Sequence, residues 1–260
     1  MLTSLIITTY NWPQALSLVL QSVANQTMLP DEVIIADDGS TEETKLMIER
    51  FSKKNDIKVI HSWQKDEGFR AAMSRNRAIS KSSCDYIILI DGDMILHPKF
   101  VEEHLRNSQE GFFLQGSRVL LSKEKSKQIF TNSQLSFSVF DSGLSNRKNA
   151  LHSNFLSLLL MKKGVFMKGI KTCNMSFYKK NCYTINGFNE EFVGWGREDS
   201  EYVVRLINSG IARKNIHFNM IQYHLFHNEE ARKSLKKNDH LLNQTIKSQL
   251  TWCDNGINRY

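Results

Sequence analysis

Tyr86-Ile87-Ile88-Leu89-Ile90-Asp91-Gly92-Asp93 is an unbroken apolar run that ends on two carboxylates. Five consecutive apolar residues, rich in isoleucine, read as a strand buried on both faces, which is the habit of parallel sheets covered by helices. Ligands of open α/β sheets bind outside the carboxyl ends of the strands, and Asp91 and Asp93 stand at such an end. A glycine between them lets the two carboxylates converge. Such a pair suits a hard divalent cation that also holds phosphate oxygens.

The alternation extends outward from this strand. Residues 3–9 read as a β-branched strand, and Pro13 suits the first turn of a helix whose core face is Leu16, Leu20 and Val23. Strands are expected at Glu32–Ala36 and Ile57–His61, and helices at Thr41–Lys53 and Ala71–Ser80. The pattern predicts an α/β fold with a Rossmann-like, mostly parallel central sheet flanked by helices, joined by right-handed crossovers. Further on, Pro98–Arg106 reads as a helix, Phe112–Leu120 and Thr172–Tyr178 as strands, Glu198–Asn208 as a helix stopped at Ser209-Gly210, and Ile216–Phe226 as strand-like. Glu229–Leu250 reads as a mostly helical tail, and residues 122–170 show no firm periodicity. The 260 residues fit a single domain, with a first half (1–110), a second half (111–230) and a helical tail (231–260).

Charge is unevenly spread. The formal net charge is +7, and residues 118–180 hold twelve Lys or Arg against Glu124 and Asp141. A localised basic zone implies an anionic partner. No recognisable basic-aromatic module points to nucleic acid. No apolar stretch approaches the ~18–20 residues of a membrane span, and no basic n-region opens a signal peptide. Cys84, Cys173, Cys182 and Cys253 lack zinc-finger spacing and read as buried free thiols of a reducing compartment. The expected location is cytoplasmic, with peripheral contact at the anionic inner face of the plasma membrane. The lysine-flanked run Phe155 to Met161 carries that second expectation, and its bland alternative is a core helix with a solvated basic end.

A second acidic motif, Trp195-Gly196-Arg197-Glu198-Asp199, opens a helix with two acids, where the dipole favours ionised carboxylates. One of the two can act as general base toward a hydroxyl, and the flat indole of Trp195 can stack on a sugar face. The turn Asp37-Asp38-Gly39-Ser40 offers carboxylates to a uracil ring or ribose hydroxyls. Its alternative is a plain turn and helix cap. Arg75, on the helix after Gly68-Phe69, reads as a nucleotide contact or a salt-bridging arginine. His224 and His227 would face opposite sides of a regular strand, so joint ligation needs a turn there.

In this order the motifs resemble a family 2-type glycosyltransferase of the GT-A fold. They are Ile6-Ile7-Thr8-Thr9-Tyr10-Asn11, Asp37-Asp38-Gly39-Ser40-Thr41, Asp66-Glu67-Gly68-Phe69-Arg70, Asp91-Gly92-Asp93, Gly187-Phe188-Asn189-Glu190-Glu191-Phe192 and Gly194-to-Asp199. The C-terminal part is similar to the galactosyltransferase-type region, and the whole is similar to chondroitin-polymerase-type domains over about residues 3–230. The resemblance implies a donor site of Thr8, Tyr10, Asp38, Asp66, Arg75, Asp91, Asp93, Asn174 and Trp195. Tyr10 and Asp38 would face the base and Asp91 the ribose. Asp93 would bind Mn²⁺ (or Mg²⁺) with His227, and with His224 in place of the family's methionine; Arg197 replaces the usual second glycine. Asp199 is implied as the base and Glu198 as the holder of sugar hydroxyls, with residues 1–110 as the nucleotide-sugar-binding half and 111–230 as the acceptor-binding and catalytic half. The implied reaction is metal-dependent, inverting transfer of a hexose or N-acetylhexosamine from a UDP-sugar donor to a glycan or lipid-linked acceptor in bacterial surface polysaccharide synthesis. The Gln-x-x-Arg-Trp motif of processive synthases is absent, which favours addition of single sugars. A sugar-phosphate nucleotidyltransferase would need a glycine-rich loop, which Ile7 to Pro13 lacks. A degenerate, glycan-binding relative would have lost a metal or base position, and Asp93, Asp199 and His227 are all in place.

Overall fold

A computed structural model describes residues 1–228 and 234–260. Its first 91 residues follow the expected alternation. Strands β1 (Thr3–Thr9), β2 (Glu32–Asp37), β3 (Val59–Trp63) and β4 (Tyr86–Asp91) are joined by helices α1 (Pro13–Ala24), α2 (Glu42–Lys54) and α3 (Ala71–Ser80). The strands pair in parallel in the order β3-β2-β1-β4. Side chains alternate between the two faces. Leu5, Ile7, Val33 and Ile88 pack with Leu16 and Leu20 of α1, while Ile6, Ile34, Ile87 and Leu89 pack with Ala72 and Ile79 of α3. Burial on both faces explains why these strands are apolar throughout.

The second half is more mixed. In chain order it contains β5 (Met94–Leu96), α4 (Phe100–Asn107), β6 (Phe112–Gln115), β7 (Val119–Leu121), α5 (Lys123–Asn132), β8 (Leu144–Ser145), α6 (Asn154–Leu160) and β9 (Lys162–Gly164). Then come β10 (Asn174–Tyr178), α7 (Lys179–Thr184), α8 (Glu198–Asn208), β11 (Ala212–Asn215), β12 (Gln222–His224) and α9 (Leu235–Lys247). The main sheet continues β4-β10-β6-β11-β9, antiparallel at β4–β10, β10–β6 and β11–β9. A smaller sheet, β5-β12-β7-β8, carries the chain segments that follow Asp93 and precede His227.

Three expectations change. The run Phe112–Leu120 is not one strand: β6 and β7 belong to different sheets. The break falls at Gly116, whose N–H donates to the Asn174 carbonyl at 2.9 Å. A Cβ there would lie 2.4 Å from the Asn174 amide, so the chain crosses β10 at backbone distance. Of Ile216–Phe226, only Gln222–His224 is strand, because Phe218 (φ 63°) and Met220 (φ 52°) are left-handed and interrupt extension. Residues 122–170 do hold helices. Ser122 caps α5 by accepting from the Lys125 N–H, and Ser153 caps α6 by accepting from the Leu156 N–H. The expected tail begins with residues 229–233, which lie outside the described residues; α9 realises its helical part. All four cysteines are free and buried. No helix among the described residues is long and apolar enough to cross a membrane.

Candidate active site

The acidic pair at the end of β4 is held by β1. Thr8 lies opposite Asp91 in the parallel register, and its hydroxyl donates to Asp91 Oδ1 at 2.8 Å. The Gly92 N–H donates to the Thr8 carbonyl at 2.7 Å. A Cβ at Gly92 would come within 2.8 Å of that carbonyl oxygen, so the turn between the two acids takes glycine only.

Asp93 meets both histidines because of strand pairing. β5 and β12 are antiparallel with His224 opposite Met94, and the Leu225 N–H donates to the Asp93 carbonyl at 3.0 Å. This register sets His224 Nε2 at 3.2 Å from Asp93 Oδ2. β12 stops at His224, and the irregular chain beyond it returns His227 Nε2 to 3.3 Å from the same oxygen and 3.2 Å from His224 Nε2. The turn required for joint ligation is therefore present. One ligand atom from each residue fits within a 4.8 Å cluster. Asp93 Oδ1 is buried with no hydrogen-bond partner among the described residues. Two imidazoles plus a carboxylate with an unspent oxygen suit a divalent cation, and the nitrogens favour Mn²⁺ over Mg²⁺. Burial pushes the Asp93 carboxyl up, but hydrogen bonds from His224 and His227 outweigh it and hold it at about 2. The bond to Asp93 raises His227 to about 9.

Arg75 joins the first acidic motif, at Asp91, to the second. Its side chain is buried, with Nη1 3.1 Å from Glu198 Oε1 and Nη2 3.6 Å from Asp91 Oδ1, and its guanidinium lies 5.5 Å from the Phe188 ring centroid. Arg75 is ion-paired, and it lies inside the cleft rather than on the surface. Glu198 and Asp199 form the first turn of α8. Burial and then the neighbouring Glu198 raise Asp199 to about 7, against the opposing pull of Arg75 and the Ser200 N–H. A carboxylate that changes charge near neutrality is suited to general-base work. Arg197, where a glycine is usual, sits in glycine's left-handed region (φ 81°). Its Nε reaches Asp239 Oδ1 of α9 at 2.6 Å, and Asn238 of α9 donates to the Gly196 carbonyl at 2.8 Å. α9 thus clamps the Trp195–Asp199 loop. Nothing in the local sequence of Asn238 or Asp239 signals this task.

These groups line one cavity of about 870 Å³, together with Thr8, Tyr10, Asp38 and Trp195. Asp38 spends both oxygens internally, accepting from Gln64 Nε2 at 2.6 Å and the Arg70 N–H at 2.7 Å, and burial raises it to about 6. Tyr10 is half exposed to the cleft, and its hydroxyl donates to Asp66 Oδ2 at 2.9 Å. Asp66 does not line the cavity itself; it holds Tyr10 and packs its backbone on Gly39. Asn174 also departs from expectation. It is buried outside the cavity, with its amide donating to the Ser117 and Met220 carbonyls at 2.8 Å and its oxygen 3.1 Å from His104 Nε2. It fastens β10 to the loops before β7 and β12. Two cations that motif reading passed over, Arg118 and Lys171, line the cavity; both lie in the basic segment.

Residues 4–169, more than half of the chain, match the family model described as glycosyl transferase family 2. The chain belongs to glycosyl transferase family 2. Residues 160–228 of this glycosyltransferase match a second model, described as the N-terminal domain of galactosyltransferase. The transferase is 31% identical over 230 residues to a hyaluronan synthase of Pasteurella multocida, across 82% of this chain and 23% of that protein. It is 29% identical over 230 residues to a chondroitin synthase of Escherichia coli, across 80% and 32%. A validoxylamine A glucosyltransferase of Streptomyces hygroscopicus subsp. limoneus is 25% identical over 222 residues, across 81% and 49%. The chain spans less than half of each of these relatives. Among solved structures, S. aureus TarS 1-349 in complex with UDP-GlcNAc superposes with a TM-score of 0.64 at 15% identity, across 93% of this chain and 65% of that one. The family 2 transferase therefore has the GT-A fold.

Proposed function

We propose that this glycosyltransferase moves one hexose or N-acetylhexosamine from a UDP-sugar to a hydroxyl of a glycan or lipid-linked acceptor, with inversion, in bacterial surface polysaccharide synthesis. One observation carries the reading: the Asp93–His224–His227 cluster and the near-neutral Asp199 face a single cleft, tied together by Arg75 between Asp91 and Glu198. The UDP-GlcNAc held by the structurally similar TarS supports a UDP-sugar donor, and the hyaluronan and chondroitin synthase names of the relatives support a glycan product.

Asp93, His224 and His227 would hold the divalent cation, which when bound supplies charge neutralisation for the departing diphosphate. Tyr10 and Asp38 wall the base end of the donor, and Asp91, oriented by Thr8, serves the ribose end. Trp195 offers a stacking face to a sugar, and Glu198, held by Arg75, orients sugar hydroxyls. Asp199 takes the proton of the acceptor hydroxyl as that oxygen bonds to the anomeric carbon. The carbon–oxygen bond to UDP breaks in the same displacement, and UDP leaves with the bonding electrons. Attack opposite the leaving group inverts the anomeric centre.

The test is a donor screen across UDP-, GDP- and dTDP-sugars with Mn²⁺, followed by NMR of the product's anomeric coupling. UDP-sugar turnover with an inverted anomer is expected. Preference for another nucleotide, or retention at the anomeric carbon, would overturn the proposal.

A further inference from the structure

Helix α6 is built inside out. Its one buried residue is Ser157, while Phe155 is 74% exposed, Leu158 73% and Leu159 66%. Phe155, Leu158 and Leu159 are spaced i, i+3, i+4 and so share one face. The helix is not loose. The Ser153 N–H donates to the Phe218 carbonyl at 3.0 Å, Asn154 Oδ1 accepts from Arg106 Nη2 at 2.8 Å, and Met161 packs on the core just past the helix. Its apolar face is therefore held outward by the fold.

The chain then enters β9, an edge strand of the main sheet, where Lys162 and Lys163 are exposed. In the loop beyond, Val165 is 70% exposed and Lys168 is also exposed. Arg213 fixes this loop, donating to the Lys168 carbonyl at 2.8 Å with its guanidinium 4.7 Å from the Phe166 centroid. The loop leads directly into Ile170 and Lys171, which line the cleft. Edge lysines alone guard a sheet against strand pairing, but that leaves the apolar residues beside them unexplained. Outward leucines and a phenylalanine bordered by lysines are the composition of an interfacial helix on anionic lipid. A symmetric contact between two copies would set the lysine borders of both against each other, where like charges repel.

We propose that α6, β9 and the following loop are a docking surface for an anionic lipid bilayer, inserting Phe155, Leu158 and Leu159 between headgroups that pair with Lys162 and Lys168. The docked loop runs directly into Ile170 and Lys171 at the wall of the cleft, which fits a lipid-linked acceptor. That last step rests on the proposed transfer reaction; the docking itself does not.

The experiment is co-sedimentation with phosphatidylcholine vesicles, with and without phosphatidylglycerol, for the parent, for F155S/L158S/L159S and for K162E/K168E. UDP-sugar hydrolysis is measured in the same samples, so a failed donor reading is told apart from failed docking. Parent protein sediments with the anionic vesicles and is released by salt. One lysine near an anionic surface is worth about fivefold in partitioning, so the double reversal lowers it at least ~25-fold. The apolar variant loses about tenfold or more. Hydrolysis is unchanged in both variants. Equal sedimentation with both vesicle types, no sedimentation, or variants that bind like the parent would overturn the proposal. So would a dimer that the apolar variant abolishes and vesicles do not compete away.

Discussion

Replacing Arg75 by methionine removes a charge that three acidic groups depend on while keeping an unbranched apolar stem. The side chain is 6% exposed and touches Glu198 at 3.1 Å and Asp91 at 3.6 Å. Deleting one partner of a buried ion pair costs about 3–5 kcal/mol, because the other charge is left buried and unpaired. Asp91 is about a third exposed and can recruit water, so the lower end, about 3 kcal/mol, applies. For a chain of this size that is a Tm loss of about 6–12 °C. The loss should depend on pH. Burial and Glu198 already raise Asp199 to about 7, and Arg75 is a cation that pulls it down. Without Arg75 its folded pKa rises further. A carboxyl whose folded pKa exceeds its unfolded value adds stability below the unfolded pKa and loses it as pH climbs through the folded one. The deficit of Arg75→Met relative to the parent should therefore be larger at about pH 8 than at about pH 5, by the share that Asp199 contributes. Circular dichroism melts at both values measure it. An equal deficit at both would refute the electrostatic argument and leave Arg75 as a packing residue on Phe188.

Three further outcomes are expected. Asp199→Asn lowers turnover by ~10²–10⁴, and the parent's rate rises with pH through about 7 as Asp199 ionises; initial rates across pH, with that rise missing in the variant, check both. Asp93→Ala abolishes turnover and measurable Mn²⁺ binding by calorimetry, while chelation silences the parent reversibly; full activity in excess chelator would disprove metal dependence. Gly92→Ala forces a Cβ to within 2.8 Å of the Thr8 carbonyl, costing about 1–3 kcal/mol by overpacking, which urea unfolding reports.

Local pattern was enough for much of this molecule. The alternating strands and helices through Asp91, the helix beginning at Glu198 and the placement of both acidic motifs at element ends follow from periodicity, proline and glycine positions and helix caps. Those signals act within a few residues, so one chain segment displays them in full. The meeting of distant groups does not. Asp93 and His224 are 131 residues apart, and Arg75 and Glu198 are 123 apart. Their contacts come from the β5–β12 register and from the approach of α3 to α8, which no single segment encodes. The same reason turned Asn174 inward, where β10 needed its amide to bind the chain on either side. It turned α6 outward, because its polar ends, not its leucines, found partners in the fold. The sequence alone determined which chemistry this chain carries and at which strand and helix ends. Tertiary structure decided which of those groups share a cleft, because strand pairing and packing set distances between residues that sequence spacing leaves free.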